Sequence, residues 1–256
     1  MKATLSIILC LLLFVSVVGC QKTVIQKPPP ISIPPNAKVV CLFFDDAFLN
    51  FYNTALPILD EYNFKATVGV ITDYIGKGHD LMEYMDIGEL EELAKQGMDI
   101  ASHTKTHTHI RTLSDKELYD EIVTSKKYLE DLGFEVSTLV YPYYEWDDRI
   151  IESAIAANYT CARAGWTQDR VYNPATTDPQ ARYHVAAWQI SNQDINSFKT
   201  IVNQAGPNAV VSLVYHLISD EGPEETTTPI TNFKEQMAYL KSAGYTVVPL
   251  PDIFRK

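Results

Sequence analysis

"VVCLFFDDAF", residues 39–48, runs six apolar residues straight into two adjacent carboxylates, Asp45 and Asp46. The β-branched and aromatic run reads as a strand, and the carboxylates stand at its end. Burying one carboxylate costs several kcal/mol unless something pairs with it. Two in a row demand cations, supplied by the chain or bound by it.

Outward from this strand the pattern alternates between strand and helix. "LNFYNTALPILDEYN" reads helical, "KATVGVI" as a strand, and "DIGELEELAKQG" as an amphipathic helix closed by Gly97. "MDIAS" is a short strand. "SDKELYDEIVTSKKYLEDLG" predicts a long helix with Ser114 and Glu117 in a capping box and Gly133 at its end. The strands "FEVSTLVYP", "YHVAAWQI", "NAVVSLVYH" and "YTVVPL" follow, separated by helical segments. A βα unit repeated six or seven times predicts a parallel α/β architecture, either a barrel or a doubly wound sheet. Residues 162–182 and 219–229 break the rhythm as polar stretches, and long structureless loops in compact domains are often functional.

The chain has 256 residues and a formal net charge of −11, which argues against a broad nucleic-acid footprint. "MKATLSIILCLLLFVSVVGC" opens it with one basic residue, a long apolar stretch and a small residue before cysteine. This resembles a lipoprotein signal over residues 1–19, with Cys20 lipidated and tethered to a membrane; an uncleaved anchor helix is the alternative. Either places the domain outside the cytoplasmic membrane, as an anchored or secreted protein. The proline-rich residues 20–37 read as an extended stalk, and the globular domain spans 38–256. Cys41 and Cys161 are read as buried small apolar residues, with a disulfide as the alternative.

The chemistry-bearing residues fall at predicted strand ends. Asp45 and Asp46 close the first strand, His103 and His107 follow "MDIAS", "YPYY" closes "FEVSTLV", and His216 closes "AVVSLVY". In parallel α/β folds the carboxyl ends of strands carry the active site. His103 and His107 are four apart, so a helical turn would put both on one face. With one carboxylate they make three protein ligands with an open fourth position, a pattern that suits catalytic Zn2+. One carboxylate then binds a cation, and the other stays ionised beside it. His109 is read as a loop histidine or a substitute ligand. Trp166, in the long polar loop, is a candidate for stacking on a sugar ring.

The ordered set "FFDDAF", "SHTKTH", "YPYY" and "LVYH" resembles the motifs of the polysaccharide deacetylase family, carbohydrate esterase family 4, over residues 38–254. The resemblance implies a distorted (β/α) barrel of about seven parallel strands that removes acetyl groups from the amino sugars of a polysaccharide, or from O-acetylated glycans. It implies Asp45 as general base, Asp46, His103 and His107 as ligands of a divalent metal, and His216 as general acid. Tyr143 would offer its backbone N–H to the oxyanion. The chain departs from the family pattern at several points. Val140 stands where an arginine often orients the base. Tyr144 and Ala47 replace glycines, and Val214 replaces a leucine. For the aspartate and tryptophan that tune the acid, only Asp194 and Trp188 offer themselves. Two other readings follow from these gaps: a glycan-binding lipoprotein with little turnover, and a small-amide hydrolase capped by residues 162–182.

Overall fold

The structure, a computed structural model, describes residues 24–79, 82–165 and 170–255. The signal, Cys20 and Trp166 lie outside the described residues. Among the described residues, eight parallel strands form the main sheet: β1 (Val39–Phe44), β2 (Thr67–Val70), β3 (Asp99–Ser102), β4 (Thr138–Val140), β5 (Cys161–Arg163), β6 (Trp188–Gln189), β7 (Val210–Tyr215) and β8 (Thr246–Val247). Their order is β5-β4-β3-β2-β1-β7-β6, with β8 pairing the first two residues of β1. The parallel bridge Arg163–Val185 joins β5 to the chain entering β6, so the sheet curls back on itself as a distorted barrel.

The first strand is buried along its whole length because it lies at the centre of this sheet. It pairs with β7 at all six positions, Val39–Val210 through Phe44–Tyr215. Val40, Leu42 and Phe44 face the helices, whereas Val39, Cys41 and Phe43 fill the barrel interior. That two-sided burial is the reason the strand is a continuous apolar run and not an alternating one.

Among the described residues, seven α-helices connect and cover the strands: α1 (Leu56–Tyr62), α2 (Ile87–Lys95), α3 (Asp115–Tyr119), α4 (Ser125–Asp131), α5 (Asp148–Ala156), α6 (Ile195–Val202) and α7 (Ile230–Ser242). Ser114 and Glu117 make the expected reciprocal cap, and Gly97 (φ 94°) and Gly133 (φ 99°) end their helices in the left-handed region. The long helix expected after Ser114 contains a π-helical stretch, Asp120–Thr124, that divides α3 from α4.

Two expectations are corrected. Residues 24–37 do not stand away as a stalk; they lie along the end of the barrel where the strands begin. The N–H of Ile25 donates to Gly133 O at 3.0 Å, that of Ile31 to the Asp252 carboxylate at 3.0 Å, and Ile31 and Ile33 pack against the barrel interior. Apolar side chains between the prolines give the segment something to bury. Secondly, Cys161–Arg163 is a strand, so the irregular loop begins after it and not at residue 162. Cys41 and Cys161 are both buried, free thiols.

Candidate active site

The parallel topology brings the ends of β1, β3, β4, β5 and β7 to one rim. Beyond Phe44 the chain turns sharply: Asp46 (φ 71°) and Ala47 (φ 59°) are both left-handed. Such backbone costs an L-residue roughly 1–2 kcal/mol, which explains why glycine suits the position of Ala47. Across the rim, Tyr143 (φ 53°) and Tyr144 (φ 62°) repeat the geometry. Backbone strain of this kind clusters at functional sites.

Asp46, His103 and His107 come together as a metal-ligating set, with ligand atoms all within 4.8 Å of one another. His103 Nε2 lies 3.5 Å and His107 Nε2 3.6 Å from the same oxygen, Asp46 Oδ1. Two ligands held about 2.0–2.1 Å from a tetrahedral zinc stand about 3.3 Å apart, so the set fits such an ion with small adjustment. Asp46 Oδ1 is buried without a hydrogen-bond partner among the described residues. The chemistry of the donors agrees. His103 Nδ1 is 2.8 Å from Val140 O, so that nitrogen carries the proton and Nε2 presents a lone pair, the arrangement found behind metal-bound histidines. Burial pushes the His103 imidazole down to about 3, against the opposing charge of Asp45, and keeps it neutral. Burial and the negative charge of Asp45 push the Asp46 carboxyl up to about 8. The two histidines do not sit on a helix. The segment between them is a loop with Thr104 (φ 64°) and His107 (φ 57°) left-handed, so the local turn, not helical spacing, aims both rings.

Asp45 has a different partner. Arg163, fully buried at the end of β5, donates from Nη2 to Asp45 Oδ2 at 2.6 Å. Burial pushes the Asp45 carboxyl up, but the guanidinium, aided by His103, His216 and His107, more than reverses this and holds it below the usual carboxylate range. Asp45 Oδ1 is buried with no hydrogen-bond partner among the described residues. Asp45, the first carboxylate of the opening stretch, is therefore matched by a side chain 118 residues away. The sequence reading assigned Arg163 to a polar loop and missed it; its one signal is a lone arginine inside the small, apolar "CARAG". Val140, where the resemblance expects an arginine, instead contributes its carbonyl to His103.

The Tyr144 ring lies 4.9 Å from the Arg163 guanidinium, and its hydroxyl donates to Gln189 Oε1 at 3.0 Å. A Cβ on Gly165 would fall 2.3 Å from Tyr144 Cγ, so this approach requires glycine there. The glycine missing at 144 is in effect matched by one at 165.

His216 reaches the same cavity, with Nε2 3.9 Å from Asp45 Oδ2. Asn50 fixes the strand end that follows it, accepting from Ile218 N–H at 2.8 Å and donating to Ile218 O at 3.2 Å. Burial lowers the His216 pKa against the raising influence of Asp45, and Nδ1 has no hydrogen-bond partner among the described residues. Neither candidate for tuning the acid reaches it. Asp194 caps α6, accepting from the N–H groups of Asn196 and Ser197. Trp188 Nε1 donates to Arg170 O at 3.0 Å. Tyr143 sits beside the ligand set with half of its surface exposed, its ring 4.7 Å from His107 and stacked at 3.9 Å on His109. His109 itself pairs with Glu145 at 2.9 Å and is not part of the ligand set. Val214 is buried and faces the barrel interior.

Residues 32–162 match the sequence profile of the family described as Polysaccharide deacetylase. A relative in Bacillus subtilis (strain 168), assigned to the same group by its name, is 30% identical over 126 residues, 49% of this chain and 44% of the relative, so the chain spans less than half of that protein. A peptidoglycan-N-acetylglucosamine deacetylase of Bacillus cereus is 25% identical over 224 residues, 87% of this chain and 91% of the relative. A solved structure from Bacillus anthracis, a pseudoenzyme of carbohydrate esterase family 4, superposes with a TM-score of 0.58 at 16% identity, covering 87% of this chain and 67% of that one. Likeness at that identity speaks to the fold, and the site residues must carry any statement about chemistry.

Proposed function

Because the chain belongs to the polysaccharide deacetylase family, we propose that it is a metal-dependent hydrolase removing N-acetyl groups from the amino sugars of an extracellular or cell-envelope polysaccharide. O-acetyl groups on such a glycan are the alternative target of the same chemistry. The observation that supports this best is the convergence on one rim of Asp46, His103 and His107 with the Asp45–Arg163 pair and His216. Glycan binding alone needs no such proton-transfer pair.

A divalent metal, Zn2+ being the best match to the donors, supplies Lewis acidity toward a carbonyl oxygen and acidifies water when held by Asp46, His103 and His107. The remaining roles belong to the chain. Arg163 occupies Asp45 Oδ2 and keeps the carboxylate ionised, which leaves Oδ1 to accept a proton from the attacking water. The Tyr143 N–H donates to the oxyanion of the tetrahedral carbon. His216, protonated, donates to the departing nitrogen as the C–N bond breaks, because an amine leaves poorly without that proton. The products are acetate and the free amino sugar. The left-handed turns at Asp46 and Tyr143 hold these groups in place before substrate arrives.

The sequence further supports lipidation at Cys20, and so a place at an extracytoplasmic membrane surface. A second reading, a glycan-binding member with little turnover, is favoured by one observation: His216 Nδ1 has no partner among the described residues to hold the ring charged. The test is acetate release from N-acetylglucosamine oligomers, beside metal content, for the wild type and Asp45→Asn. Metal in both proteins with release only from the wild type supports the hydrolase. Metal and glycan affinity without release from either supports the second reading.

A further inference from the structure

We infer that Glu121 is a positioning residue for the metal site, acting through the loop that carries His103 and His107; the inference rests on the metal reading above. Glu121 is a buried carboxylate (7% exposed) within the π-helical stretch between α3 and α4. It points at the histidine loop, not at solvent. Its Oε2 accepts from the backbone N–H groups of Lys105 and Thr106, both at 2.9 Å, and its Oε1 accepts from the Thr106 hydroxyl at 2.6 Å. Charge-assisted bonds of this kind are roughly twice as strong as neutral ones. The two residues it holds lie between the two histidine ligands.

The other end of the loop is held from the same helical run. Ser125, one turn on from Glu121, shares a hydrogen bond with Ser102 at 2.8 Å, and Ser102 immediately precedes His103. Residues four apart on a helix share a face, so this one face grips the loop before His103 and before His107. Inside the loop, the His107 N–H donates to Thr104 Oγ1 at 3.2 Å. Thr104 and His107 are both left-handed, a backbone that persists only where surrounding structure over-determines it. Glu121 supplies that constraint. The π-helical stretch, which adds a residue to the turn, is where the helix offers this side chain. The neighbouring Asp120 plays no such part: it pairs with the Lys105 ammonium at 2.8 Å and is half exposed.

Without these three bonds the loop loses the constraint that keeps both Nε2 atoms 3.5–3.6 Å from Asp46 Oδ1. Loss of a group that orients metal ligands weakens affinity by about 10–100-fold. The test measures Zn2+ affinity by competition with a chromophoric chelator, together with the visible spectrum of the Co2+ form. Glu121→Leu fills similar space without an acceptor and is expected to lose about 10–100-fold in affinity. Glu121→Gln can still accept both N–H groups on its carbonyl oxygen while the Thr106 hydroxyl turns to accept, so it stays near wild type; Asp120→Asn does too. Wild-type affinity in Glu121→Leu, or equal losses in the Gln and Leu variants, would overturn the inference. If Glu121→Leu does not fold, Thr106→Val carries the test: weakened affinity supports the inference, unchanged affinity overturns it. A wild type without zinc affinity would overturn the metal reading and this inference together, whereas an unaffected Glu121→Leu overturns the inference alone.

Discussion

Replacing Arg163 with methionine tests whether the buried guanidinium is what lets Asp45 stay charged. The pair is fully desolvated: Arg163 is 0% and Asp45 4% exposed, with Nη2 and Oδ2 2.6 Å apart. Removing one partner of such a pair costs about 3–5 kcal/mol, because the other is left charged and unpaired. Asp45→Asn orphans the guanidinium and should cost a similar amount. In the double variant neither charge remains, so its loss should fall short of the sum of the singles by at least about 2 kcal/mol, well outside the roughly 0.5 kcal/mol scatter of independent sites. The assay is urea unfolding of the chelator-treated protein, so that no bound cation compensates. The pH dependence adds a second check. In the wild type the Asp45 carboxyl is held low, so its contribution is present above the unfolded carboxylate pKa and is lost as pH falls through the folded one. In Arg163→Met the raising effect of burial is opposed only by His103, His216 and His107, without the guanidinium, so the carboxyl moves up. The variant is therefore penalised near pH 7 and relieved as pH falls and Asp45 takes a proton. The gap from wild type should narrow between pH 7 and 5. Additive singles, or a gap independent of pH, would refute the reasoning.

Other outcomes follow from the same geometry. Since the Asp46 carboxyl is pushed up to about 8, zinc must displace a proton below that pH, and affinity measured calorimetrically should rise about tenfold per pH unit towards pH 8 before levelling. The same raised carboxyl makes the metal-free fold lose stability as pH rises from the unfolded carboxylate value to about 8, a loss that bound zinc removes. Gly165→Ala should destabilise by about 1–3 kcal/mol in thermal unfolding, because its methyl would meet the Tyr144 ring, and Tyr144→Gly should relieve the clash. Because burial lowers the His216 pKa, kcat/KM should begin to fall below the ordinary histidine value near 6.5 as pH rises, and His216→Asn should abolish that limb. A plateau extending well above pH 7 would contradict it.

Much of the fold was readable because parallel strands covered by helices leave an unmistakable trace. β1 is an unbroken apolar run and β7 is interrupted only by the buried Ser212, and their ends carry Asp45 and His216. The caps at Ser114 and Gly133 are local chemistry and were equally legible. Arg163 was not, because nothing within its own stretch reveals that a carboxylate 118 residues earlier neutralises it; burial of an arginine is decided by tertiary pairing. His103 and His107 were rightly grouped by position, but the four-residue spacing suggested a helix where the chain makes a left-handed loop held by side chains from the next helix. The proline-rich segment read as a stalk because composition describes local stiffness and cannot say that Ile31 and Ile33 find the barrel.

The central claim is that Asp46, His103 and His107 hold one divalent ion. X-ray absorption at the zinc edge of the zinc-loaded protein tests it most directly. Two imidazole nitrogens and oxygen scatterers at about 2.0–2.2 Å, with no sulfur near 2.3 Å and one imidazole fewer in His107→Ala, is the predicted result. Sulfur in the inner sphere, or an imidazole count that His107→Ala leaves unchanged, would contradict it.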